Sequence, residues 1–454
     1  MISSVTKLPR KVYLIGIKGT GMSSLAVLLT KMGHHVTGSD TAEKFFTESQ
    51  LIGNKIKYFE GFDADNLRVA KSQLIISSTA YTDTHIEIAA AKELKIPTIS
   101  YPEAVGLISQ KLISVGICGS HGKTTTTSML GWIMQTNGRS VTLTGTVADQ
   151  LNTKLSKPKF FIFEADEYQD KLRYYSPANV ILTNIDWDHP DFFKTKRQYT
   201  DAFARFATRT IKSGGTVLFN ADDAQSRAML KGKKDAMSYG FHASADYRIT
   251  TISKSLDSFT ILHHNKPWLT VSLAVYGKHN ILNAAAAAIM ASRLGIKPGV
   301  IQKSLATFTG VKRRLESMPN KRYIALDDYG HHPTEVKAAL AAVRNKYPDK
   351  NIVAVFHPHT LSRTKTLLKE FGQSFSDANL AIILDIMIPS REKNTNIKIH
   401  AKDLVKEIKK NGVKAIHQAT IQAATDYILK HVADGSVILT IGAGDVWKMH
   451  VLIH

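Results

Sequence analysis

The run Gly116-Ile-Cys-Gly-Ser-His-Gly-Lys-Thr-Thr-Thr-Thr127 sets a glycine-rich turn, a lysine and a row of hydroxyls between an apolar strand and an amphipathic stretch (Met129, Leu130, Ile133, Met134). Phosphate binding needs this order. Backbone N–H groups of Gly119, Ser120, His121 and Gly122 and of the following helix start can point at an anion, Lys123 adds a point charge, and the hydroxyl of Thr124, followed by Thr125, can ligate Mg²⁺. Ile117 stands where the usual G-x-x-x-x-G-K-[ST] pattern has its first glycine, so the loop shortens to G-x-x-G-K-T. The spacing predicts a nucleoside triphosphate site.

A second cluster, Gly16-Ile-Lys-Gly-Thr-Gly21, follows a strand, precedes a helix and is followed by Asp40 at the end of the next strand. Its G-x-x-G-x-G spacing inverts the dinucleotide fingerprint, so it suits either a diphosphate on a helix N-terminus or a purely structural tight turn, and does not specify NAD. Two acidic segments, Glu164-Ala-Asp-Glu167 and Thr183-Asn-Ile-Asp-Trp-Asp-His189, end strands. In a parallel sheet such ends share the ligand crevice, so Thr124, Glu164 and His189 can converge on Mg²⁺. A single histidine is unusual for so hard a cation, and each acid alone also fits a helix cap or a solvated loop end.

The elements that must position these groups follow a βαβ rhythm. Strands over 11–17, 35–39 and 73–77 with a helix over 22–32 predict a first parallel α/β unit at 1–110. Strands over 112–118, 160–164 and 180–185, an alternating stretch over 247–276 and an alanine-rich helix over 281–294 predict a second unit at 111–314, a parallel core with appended antiparallel hairpins. The third, 315–454, repeats the rhythm with strands over 323–326, 352–356 and 381–386 and helices over 333–344 and 362–375. The expected fold is α/β with three domains: a Rossmann-like first, a phosphate-loop ATPase centre and a Rossmann-like third. Leu367, Leu368, Phe371 and Phe375 read as a core face.

The chain has 454 residues, 59 basic against 38 acidic, for a net charge of +21. That excess suits phosphate-rich partners, and the scatter of Lys and Arg along the chain argues against a nucleic-acid arm. The single Cys118 excludes an intramolecular disulfide and a multi-cysteine metal site. No leader-like segment opens the sequence and no apolar run approaches ~20 residues, so the cytoplasm, without membrane insertion, is the expected location.

The segments G-S-H-G-K-T-T-T-T, E-A-D-E, N-I-D-W-D-H, Gly277-Lys-His-Asn-Ile-Leu-Asn283, Gly310-Val-Lys-Arg-Arg314, Asp327-Asp-Tyr-Gly-His-His-Pro-Thr-Glu335 and Gly442-Ala-Gly-Asp445 occur in the order seen in Mur ligases. With Gly16-Ile-Lys-Gly-Thr-Gly-Met-Ser23 at the start, the chain resembles that family over nearly its whole length. The resemblance implies an ATP- and Mg²⁺-dependent amide ligase of peptidoglycan precursor synthesis, a monomer or weak dimer, acting on UDP-N-acetylmuramate and L-alanine. It implies a UDP-sugar domain, an ATPase domain and a C-terminal domain closing over both. It also implies that Lys123 meets the β- and γ-phosphates, that Thr124, Glu164 and His189 serve Mg²⁺, and that Asn280 and Asn283 approach the adenine. Arg314 is implied at the transferring phosphate and Asp328 at the nucleotide. Tyr329, His331 and Arg363 are implied at the amino acid and muramyl carboxylate, and Gly19, Thr20, Gly21, Met22, Ser23, Asp40 and Ser78 at the UDP site. His189 or His331 is the implied base.

Two departures stand out. His359-Thr-Leu-Ser-Arg363 places Thr360 where many alanine-adding members carry an arginine, so restoring an arginine is expected to lower KM for the acid. Tyr168-Gln-Asp-Lys-Leu-Arg-Tyr-Tyr-Ser-Pro177 and D-H-P-D-F-F resemble the branch that reattaches a recycled tripeptide, whereas D-D-Y-G-H-H-P-T-E-V and S-R-E-K favour alanine addition. A nucleic-acid-stimulated NTPase is the competing class; it predicts ATP hydrolysis driven by DNA or RNA.

Overall fold

The computed structural model describes residues 7–45, 47–144, 158–389, 392 and 395–453, so Ser390, Arg391 and Lys393 of the S-R-E-K segment lie outside the described residues. Five parallel strands, β1 (Lys11–Ile15), β2 (His35–Asp40), β3 (Lys57–Glu60), β4 (Leu74–Ser77) and β5 (Thr98–Ser100), form the first sheet in the order β3-β2-β1-β4-β5. The chain steps outward from β1 to β3 and then returns to β4. The loops after β1 and β4 therefore diverge, and the crevice between them holds the first glycine cluster.

Nine strands form the central sheet: β6 (Ile113–Cys118), β7 (Ser140–Leu143), β8 (Phe160–Glu164), β9 (Asn179–Leu182), β10 (Thr216–Asn220), β11 (Ala236–Gly240), β12 (Tyr247–Thr250), β13 (Ser258–His263) and β14 (Lys266–Ser272). Their order is β14-β13-β12-β11-β10-β9-β6-β8-β7. The pairs from β7 to β12 are parallel and β12-β13-β14 is antiparallel, so the alternating stretch folds as the appended hairpins. β6 lies between β8 and β9, which puts the phosphate-type loop beside both acidic strand ends. The alanine-rich helix Lys278–Arg293 is buried at all of Ala284–Ala288 and shares a core cluster with Met129, Leu130 and Ile133 of the helix Lys123–Met134. Small side chains let these two helices approach closely.

The third sheet contains β15 (Glu316–Met318), β16 (Ile324–Asp328), β17 (Ile352–Phe356), β18 (Leu380–Ile383), β19 (Ala415–His417) and β20 (Val437–Ile441) in the order β15-β16-β20-β17-β18-β19, parallel except for β15. One expectation fails here. The helix expected over 362–375 is two pieces, Leu361–Thr366 and Leu368–Gly372, with non-helical dihedrals at Leu367 between them. Leu367, Phe371 and Phe375 are all buried in the core as expected, and Leu368 packs against it. No glycine or proline marks the break, so periodicity alone could not announce it.

The helix Tyr101–Lys111 leads from the first sheet into β6, started by a capping box in which the backbone N–H of Ser100 donates to Glu103. One core cluster runs from Leu25 and Val105 into Phe163 and Tyr175, so the first two sheets are joined by apolar packing. Among the described residues, no helix is long and apolar enough to cross a membrane.

Gly106 shows how tight that junction is. A Cβ built there collides with the carbonyl of Tyr174. Alanine would gain ~0.5–1 kcal/mol of helix propensity, against ~1–3 kcal/mol for overpacking a rigid backbone contact. Gly106→Ala is therefore expected to lower the urea midpoint, and a raised midpoint would show that the two backbones can separate at little cost.

Candidate active site

The phosphate-type loop is shaped by glycine and by the end of β9. Gly119 (φ +129°) and Gly122 (φ +81°) adopt backbone conformations that side chains disfavour, and a Cβ on Gly119 would run into the Thr183 hydroxyl. Thr183 Oγ1 donates to the carbonyl of His121 at 2.6 Å, the backbone N–H of His121 donates to Asn184 Oδ1 at 2.9 Å, and Ser120 Oγ donates to the carbonyl of Asp186 at 2.7 Å. Lys123 Nζ donates to the carbonyl of Gly119 (2.6 Å) and pairs with Glu167 (2.9 Å). Thr124 Oγ1 donates to Glu164 Oε2 at 2.9 Å. Thr125 is buried in the first turn of the same helix.

Glu167 is a residue the sequence reading passed over, although it closes the quoted acidic tetrad. It accepts from Lys123 and from the Tyr199 hydroxyl (3.0 Å) and lies 3.6 Å from His189 Nε2. Burial opposes its charge, yet Lys123 and His189 hold its carboxyl below the usual range. His189 sits at φ +55°, a conformation rare outside glycine, with its buried Nδ1 lacking a hydrogen-bond partner. Burial lowers its basicity, but Asp188 and Glu167 outweigh that and raise it. Glu164, Glu167 and His189 thus gather at neighbouring strand ends around Lys123 and Thr124.

The third sheet meets this cluster through polar groups. Arg363 donates to both oxygens of Asp188 (2.8 and 3.1 Å), and both side chains are buried. Thr334 Oγ1 donates to Asp186 Oδ2 at 2.5 Å. The His121 ring bridges the two units, with Nε2 3.0 Å from Asp186 and Nδ1 3.3 Å from Glu335. Burial disfavours its protonated form, but the two carboxylates prevail and push the imidazole up to about 9. The same contact draws Asp186 down to about 2, against its own burial. His121, Asp186 and His332 offer donor atoms within 4.8 Å of one another. His332 Nδ1, however, already accepts from the backbone N–H of Thr334 at the start of the helix Pro333–Lys346.

Two cavities flank these groups. One, of about 410 Å³, is lined by Trp132, Tyr276, Asn280, Phe308, Arg314 and Lys346 among others. The Arg314 guanidinium lies 3.8 Å from Glu335 and 5.5 Å from the Tyr329 ring. Asp328, next to this cavity, accepts from the backbone N–H groups of Gly330 (2.7 Å) and Leu315 (3.0 Å), and burial pushes it up to about 6. The other cavity, of about 290 Å³, runs from Gly19, Thr20, Gly21, Met22 and Ser78 to Glu164.

Several residues expected to touch ligands are occupied otherwise. Ser23 is fully buried, donates to the carbonyl of Thr20 and accepts from Gln50. Asp40 accepts from the backbone N–H groups of Lys18 (2.6 Å) and Thr41 (2.8 Å), so its carboxylate anchors the glycine loop. Asn283 accepts from Thr126 and stands directly behind Gly122, propping the loop rather than lining the larger cavity. Tyr329 stacks under Arg313 and Arg314. His331 is pushed down to about 3 by burial, which keeps its ring neutral. Arg363 spends its guanidinium on Asp188.

Thr360 has a structural part of its own. It is 2 % exposed, holds φ +73°, and its hydroxyl accepts from the backbone N–H of Arg363 to cap the helix Leu361–Thr366. An arginine would lose that cap, worth ~1 kcal/mol, and would have to bury a long cation. Thr360→Arg is expected to lower the thermal midpoint and leave KM for the acid no better; an improved KM at unchanged stability would show that an arginine here does serve the acid. A pH series checks His121. A raised imidazole contributes stability fully below its ordinary 6.5 and loses it as pH rises through about 9. Asp186, a lowered acid, contributes above its ordinary 3.8 and loses it as pH falls through about 2. The stability advantage of the native chain over His121→Gln should therefore shrink between pH 6.5 and 9.5 in urea titrations. A difference that stays flat would remove the bridge from the account.

Comparison with known proteins agrees with this geometry. Residues 11–111 match the Mur ligase family catalytic domain, 117–291 the Mur ligase middle domain and 313–444 the Mur ligase glutamate ligase domain. The chain is 37% identical to the UDP-N-acetylmuramate–L-alanine ligase of Desulfitobacterium hafniense (strain Y51), over 97% of this chain and 99% of that protein. Its fold matches the crystal structure of UDP-N-acetylmuramate–alanine ligase from Thermotoga maritima (TM-score 0.79, 24% identity, 98% of each chain). It also matches a murein peptide ligase from Psychrobacter arcticus 273-4, at TM-score 0.68 and 22% identity over 98% of each chain. With three consecutive domain matches and one relative aligned from end to end, the chain belongs to the Mur ligase family of ATP-dependent ligases.

Proposed function

We propose that this chain joins L-alanine to the carboxylate of UDP-N-acetylmuramate, converting ATP to ADP and phosphate, as a cytoplasmic step of peptidoglycan precursor synthesis. The observation that carries the reading is the 37% identity to a protein of that activity over 97% of this chain. Residues 1–110 hold the UDP-sugar, 111–314 the ATP, and 315–454 close over both.

A carboxylate is a poor electrophile. Its oxygen first attacks the γ-phosphorus of ATP, the bond to ADP breaks, and an acyl phosphate results. The amine of L-alanine then attacks the acyl carbon, and phosphate departs with one oxygen of the acid. Negative charge builds up in the first step, and Lys123 and Arg314 offset it in this reading. To do so Lys123 trades Glu167 for phosphate oxygens, an exchange of one anion for another. Thr124, Glu164 and His189 would hold Mg²⁺. The hydroxyl–carboxylate pair at 2.9 Å is a hard-oxygen donor set, and the buried, unpartnered Nδ1 of His189 leaves that ring a free donor atom. The ion supplies further charge neutralisation at the phosphoryl group. The incoming ammonium must lose a proton before it attacks, and a His189 that holds the ion has no lone pair left to accept it. The polar contacts of the third sheet close the site and keep water from the acyl phosphate.

Isotope tracing tests the sequence of steps. With ¹⁸O in the muramyl carboxylate, ATP, Mg²⁺ and L-alanine, one labelled oxygen is expected in the released phosphate. Unlabelled phosphate would exclude the acyl phosphate route. Parallel reactions with L-Ala-γ-D-Glu-diaminopimelate and with DNA or RNA are expected to release no phosphate above background; release only with the tripeptide would reassign the acceptor.

A further inference from the structure

We infer that Lys171 receives the carboxylate of the sugar acid and thereby separates an acid-bearing UDP-sugar from one without the acid. The inference rests on the reading above and assigns a substrate-binding residue to it. The cavity of about 290 Å³ begins at the helix N-terminus Thr20–Met22, where a diphosphate fits, and ends at Glu164 and Asp166 beyond β8. A substrate lying along it carries its acid toward two carboxylates. That approach is repulsive without a cation, and Lys171 is the cationic side chain among the described lining residues.

The backbone is arranged to put it there. Gln169 (φ +59°) and Asp170 (φ +55°) are consecutive non-glycine residues in the left-handed region, a strained turn that costs free energy at each position and recurs at functional sites. The turn is held by Arg205 on Asp170 (3.2 Å), by the Tyr168 hydroxyl on Asp191 (2.9 Å) and by buried Leu172. It swings Lys171 back toward the strand end, where Nζ donates to Asp166 Oδ2 at 2.7 Å and lies 5.5 Å from the Tyr168 ring. The side chain is 14% exposed, so it faces the cavity and not bulk solvent. An ammonium has three donors, and the bond to Asp166 uses one. A second carboxylate can join without displacing the first. Lys123 does not serve this purpose, because it is held inside the phosphate-type loop.

The test uses the full-length enzyme with UDP-N-acetylmuramate and with UDP-N-acetylglucosamine, which keeps the diphosphate and sugar but lacks the acid. In Lys171→Met, KM for UDP-N-acetylmuramate is expected to rise by roughly tenfold or more, the worth of one charge-assisted hydrogen bond. KM for ATP and the affinity for UDP-N-acetylglucosamine should move less than about twofold, within the scatter of a distant surface change. Lys171→Arg, which keeps the charge, should recover part of the loss. Should Lys171→Met fold poorly, Lys171→Gln provides the same comparison. Equal losses for both sugars, or an unmoved KM in a folded variant, overturn the assignment while leaving the ligase reading intact. A native enzyme inactive with UDP-N-acetylmuramate and L-alanine overturns both.

Discussion

A lysine buried against a glutamate organises this site. Lys123 and Glu167 meet at 2.9 Å with side-chain exposures of 13% and 1%. Desolvating such a pair costs several kcal/mol per ion unless other groups complete the hydrogen bonding. Here the carbonyls of Gly119 and Ser120 accept from the ammonium and the Tyr199 hydroxyl donates to the carboxylate. The loop is thus closed on its own cation, and a triphosphate has to compete with Glu167 for it. The parallel strands β6, β8 and β9 bring the partners together, and the positive φ at Gly119 and Gly122 lets the backbone curl tightly enough to reach the ammonium.

The three sheets are joined by different physics. The first and central sheets share an apolar core that includes Leu25, Val105, Phe163 and Phe203. The third sheet keeps its apolar clusters to itself, from Leu315 to Ile453. What crosses to it includes Asp188 with Arg363, Asp186 with Thr334 and His121 with Glu335, together with Lys346 over the Tyr276 ring. Polar interfaces separate at less cost than apolar ones, because water can replace the lost partners. The first two units are therefore held together by buried apolar surface, and the third meets them through polar groups at the site.

Much of this was legible in the sequence. The glycine-rich loops, the acidic strand ends and the antiparallel strands announce themselves through spacing and alternation, because local backbone geometry dictates both. Glu164 and Thr124 fall where the strand order places them. What the sequence does not disclose is the partners. Nothing near Asp40 reveals that the backbone of Lys18 would take its carboxylate, nor does anything near Ser23 point to Gln50. Asn283 is 157 residues from the Thr126 it contacts. Arg363 looked free for a substrate until Asp188, 175 residues earlier, was found beside it. His121 was read for its backbone N–H alone and Glu167 had no role assigned, because the meaning of both side chains comes from residues that only the fold brings near.

Asn283 behind Gly122 also bears on modularity. The curve of the phosphate-type loop is set partly by a side chain from the helix Lys278–Arg293, which enters the chain only after the appended hairpins. A fragment ending at β11 would contain every residue of the nucleotide motif and still lack the wedge behind it. During synthesis on the ribosome, the loop can take its final shape only after that helix has emerged and docked, so nucleotide capture is a late event in the life of the nascent chain.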